Sequence, residues 1–212
     1  AYFGTSPRPP ARAVICAEPD SLLERLPSVF PEVEWLSVAA NDAAAFASTL
    51  DRPIDLLIVT NPPAAPIPAA RELWIGPCPE GFGWKEKGRL VHPPMLDWAT
   101  GHYALRGVGF EDLEIVDAAS FDLPESGTTP LVRIDGGAVF VAATTKDREV
   151  FWWSTALRDS NWPLIPAFPL VLRNLLASRL GAFSIDRRRT DEPARIAAGL
   201  DRLRGDVKFE AV

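Results

Sequence analysis

Asp55-Leu56-Leu57-Ile58-Val59-Thr60 is the stretch that decides the fold. Four consecutive apolar residues, two of them β-branched, stand between an acid and the breaker Asn61-Pro62-Pro63. A strand that alternates apolar and polar residues shows one face to water. An unbroken apolar run is buried on both faces, as a central strand of a parallel sheet is. Outward from it, Ala13-Val14-Ile15-Cys16-Ala17, Val33 to Val38 and Glu72-Leu73-Trp74-Ile75-Gly76 read as further strands. Pro19-Asp20-Ser21 opens a helix through Leu22, Leu23 and Leu26, with Asp20 or Ser21 as its cap, and Asn41 caps an Ala-rich helix through Phe46 and Leu50. The order β-α-β-α-β-x-β predicts parallel strands joined by right-handed crossovers.

The second half changes character. Pro93, Pro94 and Gly101 punctuate a loop-rich stretch, and strand-like segments follow at Leu113–Val116, Pro130–Ile134, Ala138–Ala143 and Glu149–Ser154. Asp135-Gly136-Gly137 carries the signal of a tight hairpin. Adjacent Trp152 and Trp153 must point to opposite faces of their strand, so one enters the core and the other needs a cover or a partner. Asp159-Ser160-Asn161, with Pro163, Pro166 and Pro169, precedes an amphipathic helix whose face is Phe168, Val171, Leu172, Leu175, Leu176 and Leu180. Gly181 stands where a C′ glycine belongs, and Asn174 on that helix is expected to tie a neighbouring backbone.

Composition narrows the function. A chain of 212 residues is enough for one domain, or for one domain with an extension, and 47% hydrophobic with 24% charged residues excludes disorder throughout. The net charge of −6 speaks against nucleic acid as a partner. Two cysteines cannot build a disulfide framework, and two histidines leave little for a His-rich metal site. The longest apolar stretch, from Phe168 to Phe183, is broken by Arg173 and Arg179, so no segment is expected to span a membrane. The turn Ala17-Glu18-Pro19-Asp20 offers acid and proline where a phosphate needs glycine, so no nucleotide or flavin cofactor is expected. Met95 is the sole methionine, and no leader pattern precedes the first strand; the chain is therefore read as a segment excised from something longer.

Three stretches resemble a known family. They are Asp55 to Val59 with the proline-rich turn to Leu73-Trp74-Ile75-Gly76-Pro77, then Asp97-Trp98-Ala99-Thr100-Gly101-His102-Tyr103, then Ser160-Asn161-Trp162-Pro163-Leu164-Ile165-Pro166-Ala167-Phe168-Pro169. Together they resemble the glutamine-amidotransferase-like domain of bacterial aerotolerance membrane proteins of the BatA type, over roughly Arg12 to Gly181. The chain departs from that pattern at His102-Tyr103, where the family usually reads His-Pro. The resemblance implies a flavodoxin-like, class I glutamine amidotransferase-like three-layer α/β sandwich, with a mostly parallel central sheet and an antiparallel C-terminal half. It places the domain at residues 12–183; the run Arg187-Arg188-Arg189, then Asp191-Glu192-Pro193 and a polar helical pattern, read as a C-terminal extension, an exposed helix or linker, at 184–212. It further implies a membrane-anchored parent, with the periplasmic side favoured, and a neighbouring von Willebrand factor A domain or another protein as partner.

The resemblance does not carry amidotransferase activity with it. Such enzymes place a cysteine on a Gly-x-Cys-x-Gly turn and use a later His-x-Glu as base and orienter. Gly76-Pro77-Cys78-Pro79 puts Cys78 near the elbow, but Pro79 lacks the N–H that would serve an oxyanion, and neither His92 nor His102 stands in a His-x-Glu. The expectation is a catalytically silent interaction or scaffolding module. The alternatives are a hydrolase or amidotransferase-like enzyme using Cys78 with His92 or His102, and a sensor of small ligands. A ligand would sit at the carboxyl edge of the sheet, near Asn61, Gly76, Cys78, Asp97 and His102. His92, His102 and Asp97 lack the spacing of metal ligands, so no metal is expected. Cys16, inside the first strand, is read as a small core residue.

Overall fold

The computed structural model describes residues 9–18, 22–124, 126–145 and 148–177. All lie in the first of two compact units, Ala1–Ala182; the expected extension, the caps Asp20 and Ser21, and the helix end at Leu180 and Gly181 fall outside the described residues. The strands are β1 (Arg12–Cys16), β2 (Glu34–Val38), β3 (Leu56–Val59), β4 (Arg71–Ile75), β5 (Lys85–Val91), β6 (Met95–Trp98), β7 (Asp117–Asp122), β8 (Thr128–Ile134), β9 (Gly137–Thr144) and β10 (Glu149–Trp153). The helices are α1 (Leu26–Val29), α2 (Ala43–Thr49) and α3 (Ala167–Leu176), with short 3-10 turns between.

Eight strands form one sheet in the order β2-β1-β3-β4-β10-β9-β8-β6. The pairs β2/β1, β1/β3, β3/β4 and β4/β10 are parallel, and β10/β9, β9/β8 and β8/β6 antiparallel. The 2-1-3-4 order with parallel pairing is the flavodoxin-like arrangement. β5 and β7 pair separately as an antiparallel ribbon.

Alternate residues of the parallel strands feed two cores. Ala13, Ile15, Leu56, Ile58, Leu73, Ile75, Phe151 and Trp153 join the core shared with Leu23 and Leu26 and with the apolar face of α3. Val14, Cys16, Leu57 and Val59 face the other way, under Ala43 and Phe46 of α2. Beside them Trp152 and Val141 pack against Trp84 and Phe121 of the ribbon region. The layers are therefore α1 and α3, the sheet, and α2 with the ribbon. The ribbon occupies the place where a second helix would lie, and it is the cover that Trp152 needs: Trp152 stacks on Trp84 at 4.9 Å, meets Phe121 edge-on at 4.3 Å, and is 1% exposed.

Several expectations move. β5 and β6 arise in stretches read as loop. The strand expected at Leu113–Val116 is displaced to β7; Leu113–Val116 keeps one isolated bridge, Ile115 to Ser160. Asn41 does not cap α2, which instead continues from the 3-10 turn Ala40–Asp42. The group before α3 does not cap it either. Asn161 ties the preceding loop, accepting the Glu114 N–H at 2.8 Å and donating to the Asp112 carbonyl at 2.7 Å. The Asp135-Gly136 turn does join β8 to β9, with Gly136 at φ 88°. Asn174 donates to the carbonyls of Ala104 and Arg106, both at 3.0 Å, and fastens α3 to the loop after β6.

Candidate functional site at the carboxyl edge of the sheet

Parallel strands that end side by side leave their following loops to form a crevice. Here Glu18 follows β1, Thr60 follows β3, Gly76 and Pro77 follow β4, and Ser154 follows β10. These residues line an open cleft of about 670 Å³, closed on its far side by Arg89 of β5 and by Leu157, Arg158 and Asp159. Gly76 holds φ 91°, a conformation that favours glycine, while its N–H donates to the Trp153 carbonyl at 2.8 Å. That bond turns the chain out of β4 without opening the sheet.

The charges in the cleft are mixed. The Arg89 guanidinium forks onto Asp117, with Nε 3.0 Å from Oδ1, and this hydrogen bond holds the Asp117 carboxyl below the usual carboxylate range. Arg158 stands 3.7 Å from Asp159, and Glu18 lies opposite. The Ser154 hydroxyl donates to the Ala119 carbonyl at 3.3 Å. No histidine or cysteine belongs to the lining. Among the described residues of its lining no cysteine–histidine pair is brought together.

Of the residues singled out in the sequence, Gly76 lines this cleft. Asn61 is beside it on the same edge, its N–H donating to the Cys16 carbonyl at 3.2 Å and its own carbonyl taking the Cys16 thiol at 3.1 Å. Cys78 turns away and packs with Trp152, Val141 and Trp84 on the ribbon side of the sheet. Its thiol donates to the Pro79 carbonyl at 3.6 Å. Burial, with the Glu86 charge nearby, pushes that thiol up to about 11, so it is protonated at neutral pH. A nucleophile elbow strains the nucleophile itself and leads into a helix. Here the positive φ falls on glycines, Gly76 before Cys78 and Gly81 and Gly83 after it, and the chain runs from β4 to β5 with no helix between.

His102 is not at the carboxyl edge, where the sequence reading put it. β6 runs antiparallel to β8, and the chain after it descends to the opposite edge of the sheet. There the neighbouring Tyr103 hydroxyl donates at 2.5 Å to Glu149, the first residue of β10, and Arg71, the first of β4, donates to the same Glu149 oxygen at 3.0 Å. His102 stacks on Tyr103 at 4.9 Å and meets Phe151 on the α3 side of the sheet. Its Nδ1 accepts the Ala104 N–H at 3.2 Å and caps a 3-10 turn. Cys78 and His102 are thus on opposite faces and at opposite edges.

His92 ends β5 at φ 45° and is exposed. β6, which begins three residues later, is four places from β4 in the sheet, about 19 Å at ordinary strand spacing. Asp97 is exposed on β6 with Arg133 3.6 Å away. Among the described residues no three His, Cys, Asp or Glu side chains are grouped to hold a metal. Arg89, Ser154, Arg158 and Asp159 were missed in the sequence. Ser154 had a readable signal as the residue after an apolar strand; Arg89 had none, since β5 does not look like a strand.

No family model matches the chain, and no curated protein does. Solved structures do match, and what they define is a class of fold. A cytoplasmic protein of Salmonella typhimurium LT2 superposes with a TM-score of 0.52 at 12% identity, over 80% of this chain and 99% of that one. A candidate GMP synthase component from Thermoplasma acidophilum gives 0.49 at 14% identity, over 78% and 92%. A second cytoplasmic Salmonella typhimurium protein gives 0.48 at 10%, over 78% and 97%. The expected placement in a membrane-anchored parent on the periplasmic side is corrected: the structure that superposes at 0.52 is described as a cytoplasmic protein. No helix among the described residues is long and apolar enough to cross a membrane.

Proposed function

We propose that this domain is a catalytically silent, amidotransferase-like interaction module. The observation that carries the reading is the separation of Cys78 from both histidines, with its thiol half-buried, protonated and flanked by prolines. The amidotransferase-like kinship of the three sequence stretches belongs to the same proposal; the membrane anchor does not. Alkylation of Cys78 by iodoacetamide, followed by mass spectrometry at pH 8, tests it. A shift from 9.0 to about 11 leaves about 100-fold less thiolate than an unperturbed thiol has, so the reaction should be about 100-fold slower than with a free cysteine peptide. A rate at or above the peptide's would overturn the proposal. Cys78→Ala should leave partner binding unchanged and lower the melting temperature only slightly, by the loss of a half-buried sulfur packed on Trp152.

The cleft favours a second reading, a sensor that binds a small polar ligand beside Gly76 and Thr60. A thermal-shift screen with neutral and zwitterionic metabolites checks it. A rise in melting temperature that is lost in Thr60→Val supports the sensor, and a flat response across the panel removes it.

A further inference from the structure

Val91, Leu96 and Val116 are large apolar side chains exposed by 73%, 58% and 49%. They sit together. Val91 and Leu96 flank the short stretch between β5 and β6, and Val116 is held to it by the His92 N–H, which donates to the Val116 carbonyl at 3.0 Å. A shallow groove of about 270 Å³ runs along this junction, walled by Pro93, Pro94, Leu113, Ile115 and Val116, with Val91 and Leu96 next in the chain to His92 and Met95 of its lining.

The groove has a fixed frame. Among the described residues His92 is the one non-glycine with a positive φ, 45°. An L-residue holds that conformation at a cost, and only where its surroundings demand it. Here it swings the chain out of β5 into two consecutive prolines, whose rings are rigid and offer no N–H to solvent. Adjoining apolar side chains on a rigid concave frame mark a contact surface rather than ordinary scatter.

Charge states what fits it. Glu111, Asp112 and Glu114 are exposed on the loop that supplies Leu113 and Ile115, and none makes an ion pair among the described residues. Exposed Asp135 joins the rim through its N–H, which donates to the Pro94 carbonyl at 2.9 Å. Residues 91–97 and 111–117 contain no lysine or arginine; Asp97 and Asp117 are already paired with Arg133 and Arg89 from neighbouring strands, which leaves Glu111, Asp112 and Glu114 to face a partner. An acidic rim of this kind attracts Lys and Arg and disfavours a second copy of a chain whose own charge is −6. Among the described residues β6 is also the last strand of its sheet, with no strand paired to its outer edge.

We infer that the β5–β6 junction is a docking groove for an extended segment of a partner protein, one that presents apolar side chains flanked by Lys or Arg. This rests on the interaction-module reading and names its surface. The test is selection of peptides from a random phage-displayed library on the full 212-residue chain. The selected peptides should combine apolar residues with Lys or Arg. A synthetic copy should bind at least tenfold more weakly to Val91→Asp and to Glu114→Lys, weaken with added salt, and bind unchanged to Val29→Asp on α1. Circular dichroism checks that each variant is folded. Failure to select any peptide, peptides without basic residues, or equal binding to Val91→Asp would overturn the proposal. Self-association abolished by Val91→Asp in sedimentation would assign the groove to a second copy and overturn it too. None of these failures alters the Cys78 alkylation rate, so the groove and the silent thiol stand or fall separately.

Discussion

At single residues, the two groups of greatest catalytic promise have been given structural tasks. The Cys78 sulfur fills space beneath Trp152 and Trp84. The His102 imidazole caps a turn, and burial pulls its pKa below 6.5 against the opposing influence of Glu149. The unfolded chain binds a proton near 6.5, whereas the folded one binds it only at lower pH. Stability contributed by the neutral ring is therefore full above that value and is lost as pH falls through the folded pKa. The same protonation would remove the Nδ1 lone pair that accepts the Ala104 N–H. Urea midpoints measured from pH 7.5 to 5 should fall. In His102→Asn, which keeps an acceptor and cannot titrate, the slope should be shallower; an identical slope would assign the loss to other groups.

At the level of elements, the β5–β7 ribbon replaces a helix as the cover of half the sheet. Trp152 is the contact that makes this possible, since it meets rings from both sides of the ribbon region. Trp152→Ala should destabilise by about 3–5 kcal/mol in urea unfolding, the range for emptying a large aromatic site in a core. The visibility of each element in the sequence follows from its burial. β1, β3 and β4 could be read because strands sandwiched between two layers need apolar residues at nearly every position. β5, Lys-Glu-Lys-Gly-Arg-Leu-Val, could not, because only Leu90 packs inward and the rest meets water. β7 escapes a local reading for the converse reason. Its Ala and Ser residues are buried by neighbours rather than by their own bulk, while the more apolar Leu113–Val116 became the groove wall. The position of Gly76 at the site was legible from the end of an apolar strand. The position of His102 was not, since it depends on the direction in which β6 runs, and no local pattern encodes that.

Across the whole molecule, the sheet divides into a core of five parallel strands and a more exposed periphery. Hydrogen exchange should separate them, with amides of β1, β3 and β10 protected longest and those of β5 opening first, since its side chains are almost all exposed. Equal protection in β5 and β3 would argue against that division. β4 and β10 are immediate neighbours, yet Arg71 and Glu149, which face each other in register, are 78 residues apart in the chain. Closing a loop of that length costs about 4 kcal/mol in chain entropy. On a ribosome adding about 5–20 residues per second, the wait between the two strands is roughly 4–16 s. For that interval the nascent polypeptide carries the unpaired, apolar flank of β4, so a chaperone has its clearest reason to engage this chain after β4 has emerged and before β10 has.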